Sequence, residues 1–283
     1  LGDVYKRQVL NSGQYELESD FKYVWSENNK YGKEMIFALL HETGNNAAEI
    51  ACHFGPSDHP EVPGRWQYYG VSLPFWRSYD KEDPRREFFY YDYTGDAKRD
   101  DQSDYGFHYM VPEEGVTVVP NDTTKYMQNV ATMKYTYDMI SDAYYDGRTI
   151  CIFRLSDVIL CKAEIENNLN GPAAALPYLN QIRARAGAPE YGKHNRFPAP
   201  STKEAMNDAI LKERGYELVF EFQRRADLIR FGKYEEVVNA HLKKLGIAQP
   251  TNVTSSLRYF PYPLNDAQLN PNLAAENPSR LPK

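Results

Sequence analysis

The sequence predicts a mainly α-helical fold of tetratricopeptide-like helical hairpins, joined by long irregular loops and a few short strands. Two observations lead to this fold class. Apolar residues recur at helical spacing after residue 150, and turn residues divide that pattern into helices of about four turns. Before residue 150, short apolar runs are separated by Gly, Pro, Asn and Asp, which is typical of short strands and long loops.

The helical pattern after residue 150 predicts an antiparallel hairpin. The first helix has one apolar face, formed by Leu155, Val158, Ile159 and Ala163. It is expected to stop near Asn170-Gly171, and Pro172 is expected to open the second helix. The second helix also has one apolar face, formed by Ala175, Leu179, Ile182 and Ala186. The pair fits one tetratricopeptide-like unit of about 34 residues, which needs partner helices to bury its apolar surface.

A third helix is expected to follow this hairpin. Ser201 and Glu204 have the spacing of a capping box, and the helical pattern continues to about Phe231. Beyond residue 241 the chain becomes rich in Pro and Asn. The segment Phe260-Pro261-Tyr262-Pro263 is too dense in proline for a helix or a central strand, so we expect an extended terminal strap.

These patterns divide the chain into zones. Residues 1–8 look like a translated adapter sequence and are expected to be a non-native tail. Residues 9–150 are loop-rich, with the clearest strands at 34–40 and 88–93; residues 151–240 are helical; and residues 241–283 form the strap. The chain starts with Leu1 and shows no leader or lipidation cysteine, so we expect a fragment whose upstream part is missing.

Composition and the absence of certain motifs argue against several functional classes. The 283 residues include 33 Lys and Arg against 39 Asp and Glu, a net charge of −6, which argues against a general nucleic-acid binder. No apolar run approaches the roughly 18 residues of a membrane-spanning helix. Sequence motifs for nucleotide binding, for zinc proteases and for serine hydrolases are absent from the sequence. We therefore predict no cofactor.

The third helix carries a set of carboxylates on one face, Glu213, Glu217 and Glu221. As a catalytic pair they would indicate a glycosidase. We favour a structural network of ion pairs with arginines such as Arg224, because an arginine fork suits carboxylates and a neutralised carboxylate is a poor general acid. No catalytic residue is therefore assigned.

An aromatic cluster in the long loop 43–78 is the clearest chemical signal. Flat aromatic rings stack against the apolar faces of sugars, and their polar tips reach hydroxyl groups. We expect Trp76 and Tyr79 to pack the loop onto the domain, and we assign ligand binding to Trp66, Tyr68 and Tyr69. Tyr68 and Tyr69 would alternate between faces in an extended chain, so at most one of them is expected to face a ligand.

Two metal sites were weighed and neither is favoured. His53 and His59 flank Asp58, but their spacing matches no known ligand pattern. The Asp-rich stretch 92–104 could hold calcium, but it lacks the spacing of an EF-hand. We predict no bound metal.

Ordered motifs along nearly the whole chain resemble those of one known family. In the first half they are Glu34-Met35-Ile36-Phe37 and Tyr79-Asp80-Lys81-Glu82-Asp83-Pro84-Arg85. In the helical zone they are Arg154-Leu155-Ser156-Asp157-Val158, Leu179-Asn180-Gln181-Ile182-Arg183-Ala184-Arg185-Ala186-Gly187 and the run from Glu213 to Arg230. Near the end they are Phe260-Pro261-Tyr262-Pro263, Asn270-Pro271-Asn272-Leu273 and Glu276-Asn277-Pro278. In this order they resemble the C-terminal half of the SusD/RagB family.

The sequence departs from the family pattern at a few positions. Phe222 stands where the family usually has Gly, and Arg225 and Ala226 replace an aromatic pair. Tyr262 stands between prolines where Ile is usual. These changes affect the expected local packing of the helix and leave the resemblance intact.

The resemblance implies a function as well as a fold. It implies a non-catalytic outer-membrane lipoprotein, exposed at the cell surface, which captures a glycan and delivers it to a SusC-like TonB-dependent transporter. The protein would contact the membrane only through an N-terminal lipid anchor. That anchor is expected to be absent from this chain. A peptide-binding nutrient receptor like RagB is an alternative within the family, and a glycoside hydrolase is an alternative outside it.

Overall fold

The computed structural model describes residues 2–42, 49–62, 64–95, 106–115, 124–138, 147–244 and 253–280. Two compact units divide the chain, Leu1–Glu217 and Leu218–Lys283. The first unit contains six α-helices within these ranges: α1 (Gly2–Asn11), α2 (Ile50–Phe54), α3 (Leu73–Trp76), α4 (Leu155–Asn170), α5 (Pro172–Arg185) and α6 (Lys203–Glu217). The fold is mainly helical, as the sequence predicts.

The predicted helical hairpin is confirmed as α4 and α5. Gly171 ends α4 with φ 89°, a conformation that glycine adopts without steric cost, and its N–H donates to the carbonyls of Glu166 and Asn167. Pro172 then opens α5. The side chains at which the two helices face each other are buried, and they include Ile159, Leu160, Leu179 and Ile182. Each fully buried aliphatic side chain contributes roughly 1.5–3 kcal/mol to the free energy of folding.

Partner helices cover the hairpin. Helix α6 packs against both α4 and α5, and it buries Met206 and Ile210 completely. Helix α1 packs against α4, where the ammonium group of Lys162 pairs with the carboxylates of Asp3 and Glu166. The segment expected to be a non-native tail is thus part of an ordered helix; its origin stays a prediction.

Short strands form three small sheets in the described part of the first unit. Strand β1 (Met35–Leu39) pairs antiparallel with β8 (Ile150–Arg154). Strand β7 (Asn129–Thr132) lies between β2 (Val71–Ser72) and β3 (Phe89–Tyr90), with Val130 and Ala131 buried. Strand β5 (His108–Met110) lies between β4 (Asp92–Thr94) and β6 (Thr124–Tyr126), antiparallel to the former and parallel to the latter. Both predicted strands are confirmed, the second as β3 and β4.

The start of the third helix differs from the prediction. Helix α6 begins at Lys203, and its cap is the Thr202 hydroxyl, which accepts from the N–H of Ala205 at 3.1 Å. The capping box assigned to Ser201 and Glu204 is therefore wrong. Glu204 is the second helical residue, one position too early to close such a box.

The third helix also ends earlier than predicted. Helix α6 stops at Glu217, and α7 (Arg224–Arg230) begins seven residues later. Between them Phe220 and Phe222 have φ of 61° and 63°, which a right-handed helix does not accommodate. The continuous helix to Phe231 is therefore wrong, because these two residues turn the backbone into the left-handed region.

The second unit is helical in its described residues. After α7 come α8 (Tyr234–Lys244), α9 (Leu264–Leu269) and α10 (Pro271–Arg280). Within this unit, Arg225 of α7 is tied to the segment before α9, because its guanidinium donates to the carbonyls of Leu257 and Arg258 at 2.9 and 2.7 Å. The prediction of an extended strap over 241–283 is wrong for the residues described, because much of this segment is helical. Proline prevents a helix around 260–263, whereas Pro271 stands in the first turn of α10, where proline is tolerated.

No helix in the ranges described is both long enough and apolar enough to cross a membrane.

Candidate functional site

Three aromatic side chains that the sequence assigns to ligand binding lie together at the surface. Tyr68 is 66% exposed and Tyr69 is 56% exposed, whereas Trp66 is half-buried. The rings of Trp66 and Tyr68 have centroids 5.4 Å apart and planes tilted by 34°. We call Trp66, Tyr68 and Tyr69 the aromatic platform.

His53 lies at the centre of the aromatic platform. Its ring centroid is 5.2 Å from Trp66, 5.4 Å from Tyr68 and 6.2 Å from Tyr69. The ring of Tyr69 also contacts Phe54, at 5.4 Å. Tyr68 and Tyr69 both contact this histidine and both are exposed, and the expectation that at most one of them faces a ligand stays a prediction.

Helix α2 fixes the backbone of the aromatic platform. The N–H of Trp66 donates to the carbonyl of Cys52 at 2.8 Å, and the N–H of Tyr69 donates to the carbonyl of His53 at 3.1 Å. The last carbonyls of a helix lack partners within it, so these bonds satisfy α2 while they position the loop. Two residues of α2 thus hold both ends of the platform segment.

The platform segment has a kink at Gln67. Gln67 has φ 50°, so the segment leaves the extended conformation between Trp66 and Tyr68. Its side-chain Nε2 donates to Asn129 Oδ1 at 3.2 Å, which ties the kink to strand β7. At Gly70 a Cβ would lie 2.1 Å from the same Asn129 oxygen, so the chain passes β7 too closely for a side chain.

Glu49 is the acidic neighbour of the aromatic platform. Its carboxylate lies 3.6 Å from His53 Nε2, and Glu49 immediately precedes α2, four residues before His53. The histidine side chain is 33% exposed and that of Glu49 is 36% exposed. Sequence reasoning weighed His53 only as a metal ligand. The four-residue spacing of Glu49 and His53 was a usable signal that they share a helix face.

The other aromatic residues of the loop are structural. Trp76 and Tyr79 are 5% and 3% exposed, as expected for residues that pack the loop. Trp76 Nε1 donates to the carbonyl of Arg86, and the Tyr79 ring stacks on Tyr216 with centroids 4.2 Å apart. Burial is the main cause that raises the pKa of Tyr79 well above its usual range.

The two histidines weighed as metal ligands belong to different clusters. His59 packs against the rings of Tyr90 and Tyr93 at 4.7 and 4.8 Å, and burial lowers its pKa despite the opposing effect of Glu61. Among the residues that the structure describes, no three His, Cys, Asp or Glu side chains converge as metal ligands would. Most of the Asp-rich stretch weighed for calcium, residues 96–104, lies outside the described ranges.

Two carboxylates of the third helix form a buried ionic network. Glu217 is fully buried and contacts Arg85 at 2.9 Å, Arg154 at 2.7 Å and Arg185. Glu213 contacts Arg85 and Arg183, each at 2.7 Å. The predicted ion-pair network is confirmed for both glutamates, with arginine partners that the sequence did not identify.

The network keeps Glu217 ionised. Burial alone raises the pKa of its carboxyl, but the positive charges of Arg185, Arg154 and Arg85 outweigh burial and hold that pKa well below its usual range. A general acid needs a raised pKa and contact with its substrate. Glu217 has neither, so its geometry is that of a structural residue.

Comparison with known proteins places the chain among sequences that share its motifs. A sequence model described as the SusD family matches residues 15–279. SusD-like protein P25 of Formosa agariphila is 39% identical over 120 residues, which cover 42% of this chain and 22% of that protein. The starch-binding protein SusD of Bacteroides thetaiotaomicron is 28% identical over 137 residues, which cover 48% and 22%.

Solved structures share the fold at low sequence identity. Surface glycan-binding protein A of Bacteroides thetaiotaomicron, in complex with laminarihexaose, superposes with a TM-score of 0.66 at 21% identity. The superposition covers 94% of this chain and 56% of that one. The chain therefore spans about half the length of that structure, and the alignments cover about a fifth of each curated relative named above. Since the family match extends over nearly the whole sequence, the chain belongs to the SusD family.

Proposed function

We propose that this protein is a non-catalytic, cell-surface glycan-binding protein, and that the aromatic platform contacts the sugar. The observation that carries the proposal is the exposure of Tyr68 and Tyr69 on a backbone held by α2. Exposed aromatic rings with few rotatable bonds lose little entropy on binding, and sugars offer apolar ring faces for stacking.

The relatives support a glycan as the ligand class. One relative is described as starch-binding, and one structural neighbour holds laminarihexaose. Two exposed tyrosines side by side suit a ligand of more than one sugar unit. The ligand class is therefore an oligosaccharide or polysaccharide, and a peptide is the competing outcome in the test.

The ion pairs of Glu213 and Glu217 agree with a role in binding rather than in catalysis. Glu213 and Glu217 are enclosed by arginines, and Glu217 stays ionised, so this pair supports a structural role over glycoside hydrolysis. We therefore propose that the protein binds its glycan without cleaving it.

The proposal extends to the place and the partner of the protein. We propose attachment to the outer membrane through an N-terminal lipid that precedes this chain, and delivery of the glycan to a SusC-like TonB-dependent transporter. Co-purification of the transporter with the tagged protein from its own cells tests this part. Recovery of the protein without any such transporter would contradict it.

Isothermal titration against starch, laminarin and plant-cell-wall oligosaccharides, with a peptide panel alongside, tests the ligand. We expect one glycan class to bind and Trp66→Ala to weaken binding by about tenfold or more, as for an aromatic residue central to an interface. Tyr31→Ala is the matched control, because Tyr31 is 73% exposed and lies outside the aromatic platform. Binding of peptides alone, or unchanged binding by Trp66→Ala, would contradict the proposal.

A further inference from the structure

The side chain of His53 lies between the rings of the aromatic platform and contacts each of them. Its backbone carbonyl also accepts the N–H of Tyr69. Any motion of this imidazole therefore changes the relative tilt of rings that a ligand would cover.

Charge around His53 is asymmetric. Glu49, which immediately precedes α2, lies 3.6 Å from Nε2, while the other contacts described above are with the electron-rich rings of Trp66, Tyr68 and Tyr69. Arg65, in the same segment as the rings, is buried with Nη1 3.5 Å from Cys52 Sγ.

Protonation of His53 would strengthen each of these contacts. An imidazolium forms an ion pair with Glu49, and a cation beside an aromatic ring is attracted by the ring quadrupole. Histidine is the side chain that ordinarily changes charge between about pH 5 and 8. Since His53 Nδ1 is buried and has no hydrogen-bond partner among the residues that the structure describes, the ion pair with Glu49 and the ring contacts are what favour the protonated form.

We propose that His53 is the positioning residue of the aromatic platform and that its protonated form, paired with Glu49, tightens binding of the glycan. This inference rests on the proposed function, since it concerns the same site. A better-ordered platform loses less conformational entropy when the ligand binds, which is the general effect of preorganisation.

The test is the pH dependence of glycan binding by the whole chain. We expect the affinity for the glycan found in the titration panel to be about two- to fivefold higher at pH 5.5 than at pH 8. His53→Phe keeps a ring among the platform residues and removes the titration, so it should bind at both pH values with equal affinity. Glu49→Gln should reduce the pH effect, and His59→Gln, the control at a separate cluster, should preserve it.

Tryptophan fluorescence provides a readout without ligand. An imidazolium in contact with an indole quenches its emission, and the Trp66 ring lies edge-on to His53 at 5.2 Å. The emission should rise as His53 loses its proton, and that transition should be absent from His53→Phe and His53→Gln. A wild type without this transition would contradict protonation of His53 beside Trp66 in this pH range.

The outcomes separate the two proposals. If Trp66→Ala abolishes binding while the wild type and His53→Phe show the same pH profile, the role of His53 is overturned and the glycan site stands. If glycans bind and Trp66→Ala has no effect, the platform is not the site and both proposals fall. If no glycan binds at either pH, both proposals are overturned.

Discussion

The guanidinium group of Arg154 and the carboxylate of Glu217 meet at 2.7 Å, and both side chains are at most 1% exposed. Arg154 ends strand β8 and Glu217 ends helix α6, so this contact joins the β1–β8 sheet to the helical core of the first unit. Arg154 also contacts Glu34 at 2.5 Å, immediately before β1. These two ion pairs of Arg154 thus connect three segments that are far apart in sequence.

Removing the charge of Glu217 should destabilise the protein. Glu217→Gln leaves Arg154, Arg85 and Arg185 buried with fewer negative partners, which costs about 3–5 kcal/mol in comparable buried pairs. Urea unfolding followed by circular dichroism measures the loss. Glu204→Gln, at an exposed position of the same helix, should change stability by less than about 0.5 kcal/mol.

Acid should weaken the wild type through the same residue. Because the arginines depress the folded-state pKa of Glu217 below its ordinary value of 4.5, its contribution to stability is complete above that value and is lost as pH falls below it. Unfolding free energies measured from pH 6 to pH 3 should fall less steeply for Glu217→Gln than for the wild type. Parallel slopes would show that Glu217 is not the coupled group.

The backbone at Phe222 should carry strain. With φ at 63° the position suits glycine, and a residue with a Cβ costs roughly 1 kcal/mol there. Phe222→Gly should therefore be more stable than Phe222→Ala by about 1 kcal/mol, a comparison in which the loss of the aromatic ring cancels. At Ala226, an exposed position within α7, the order should be reversed, and Ala226→Gly should lose about 1 kcal/mol.

Gly70 should be required for the shape of the aromatic platform. A methyl group at Gly70 would meet the side chain of Asn129, which holds Gln67 by a hydrogen bond of 3.2 Å. Gly70→Ala should weaken glycan binding and lower the thermal midpoint. The double variant Gly70→Ala with Asn129→Ala should recover part of the stability, because it removes the amide atoms closest to the added methyl group and leaves only the Asn129 Cβ, at 3.0 Å; a fully additive loss would argue against this contact.

Sequence was a sufficient guide to the helical hairpin and to the packed aromatic residues of the long loop, where local signals decide the structure. The hairpin of α4 and α5 follows from apolar spacing and from Gly171-Pro172, and the burial of Trp76 follows from its apolar neighbours. The ordered motifs led to the family, and the match over residues 15–279 confirms it.

The features that sequence missed depend on contacts between distant segments or on backbone geometry. Glu217 pairs with Arg85 and Arg154, which are 132 and 63 residues away, so helix periodicity could not reveal them. The break after α6 arises from positive φ at two phenylalanines, residues that rarely adopt it. The sequence did not predict that His53 lies at the candidate site, because α2 and the loop come together through backbone hydrogen bonds, which leave no signature in the side-chain pattern.

Glycan titration of the wild type and of the triple variant Trp66→Ala, Tyr68→Ala, Tyr69→Ala tests the central claim most directly. Circular dichroism should first show that the two proteins have the same helical content. We predict saturable binding of at least one glycan class by the wild type and binding reduced by at least about a hundredfold in the triple variant. Equal affinity of the two folded proteins for that glycan would contradict the claim.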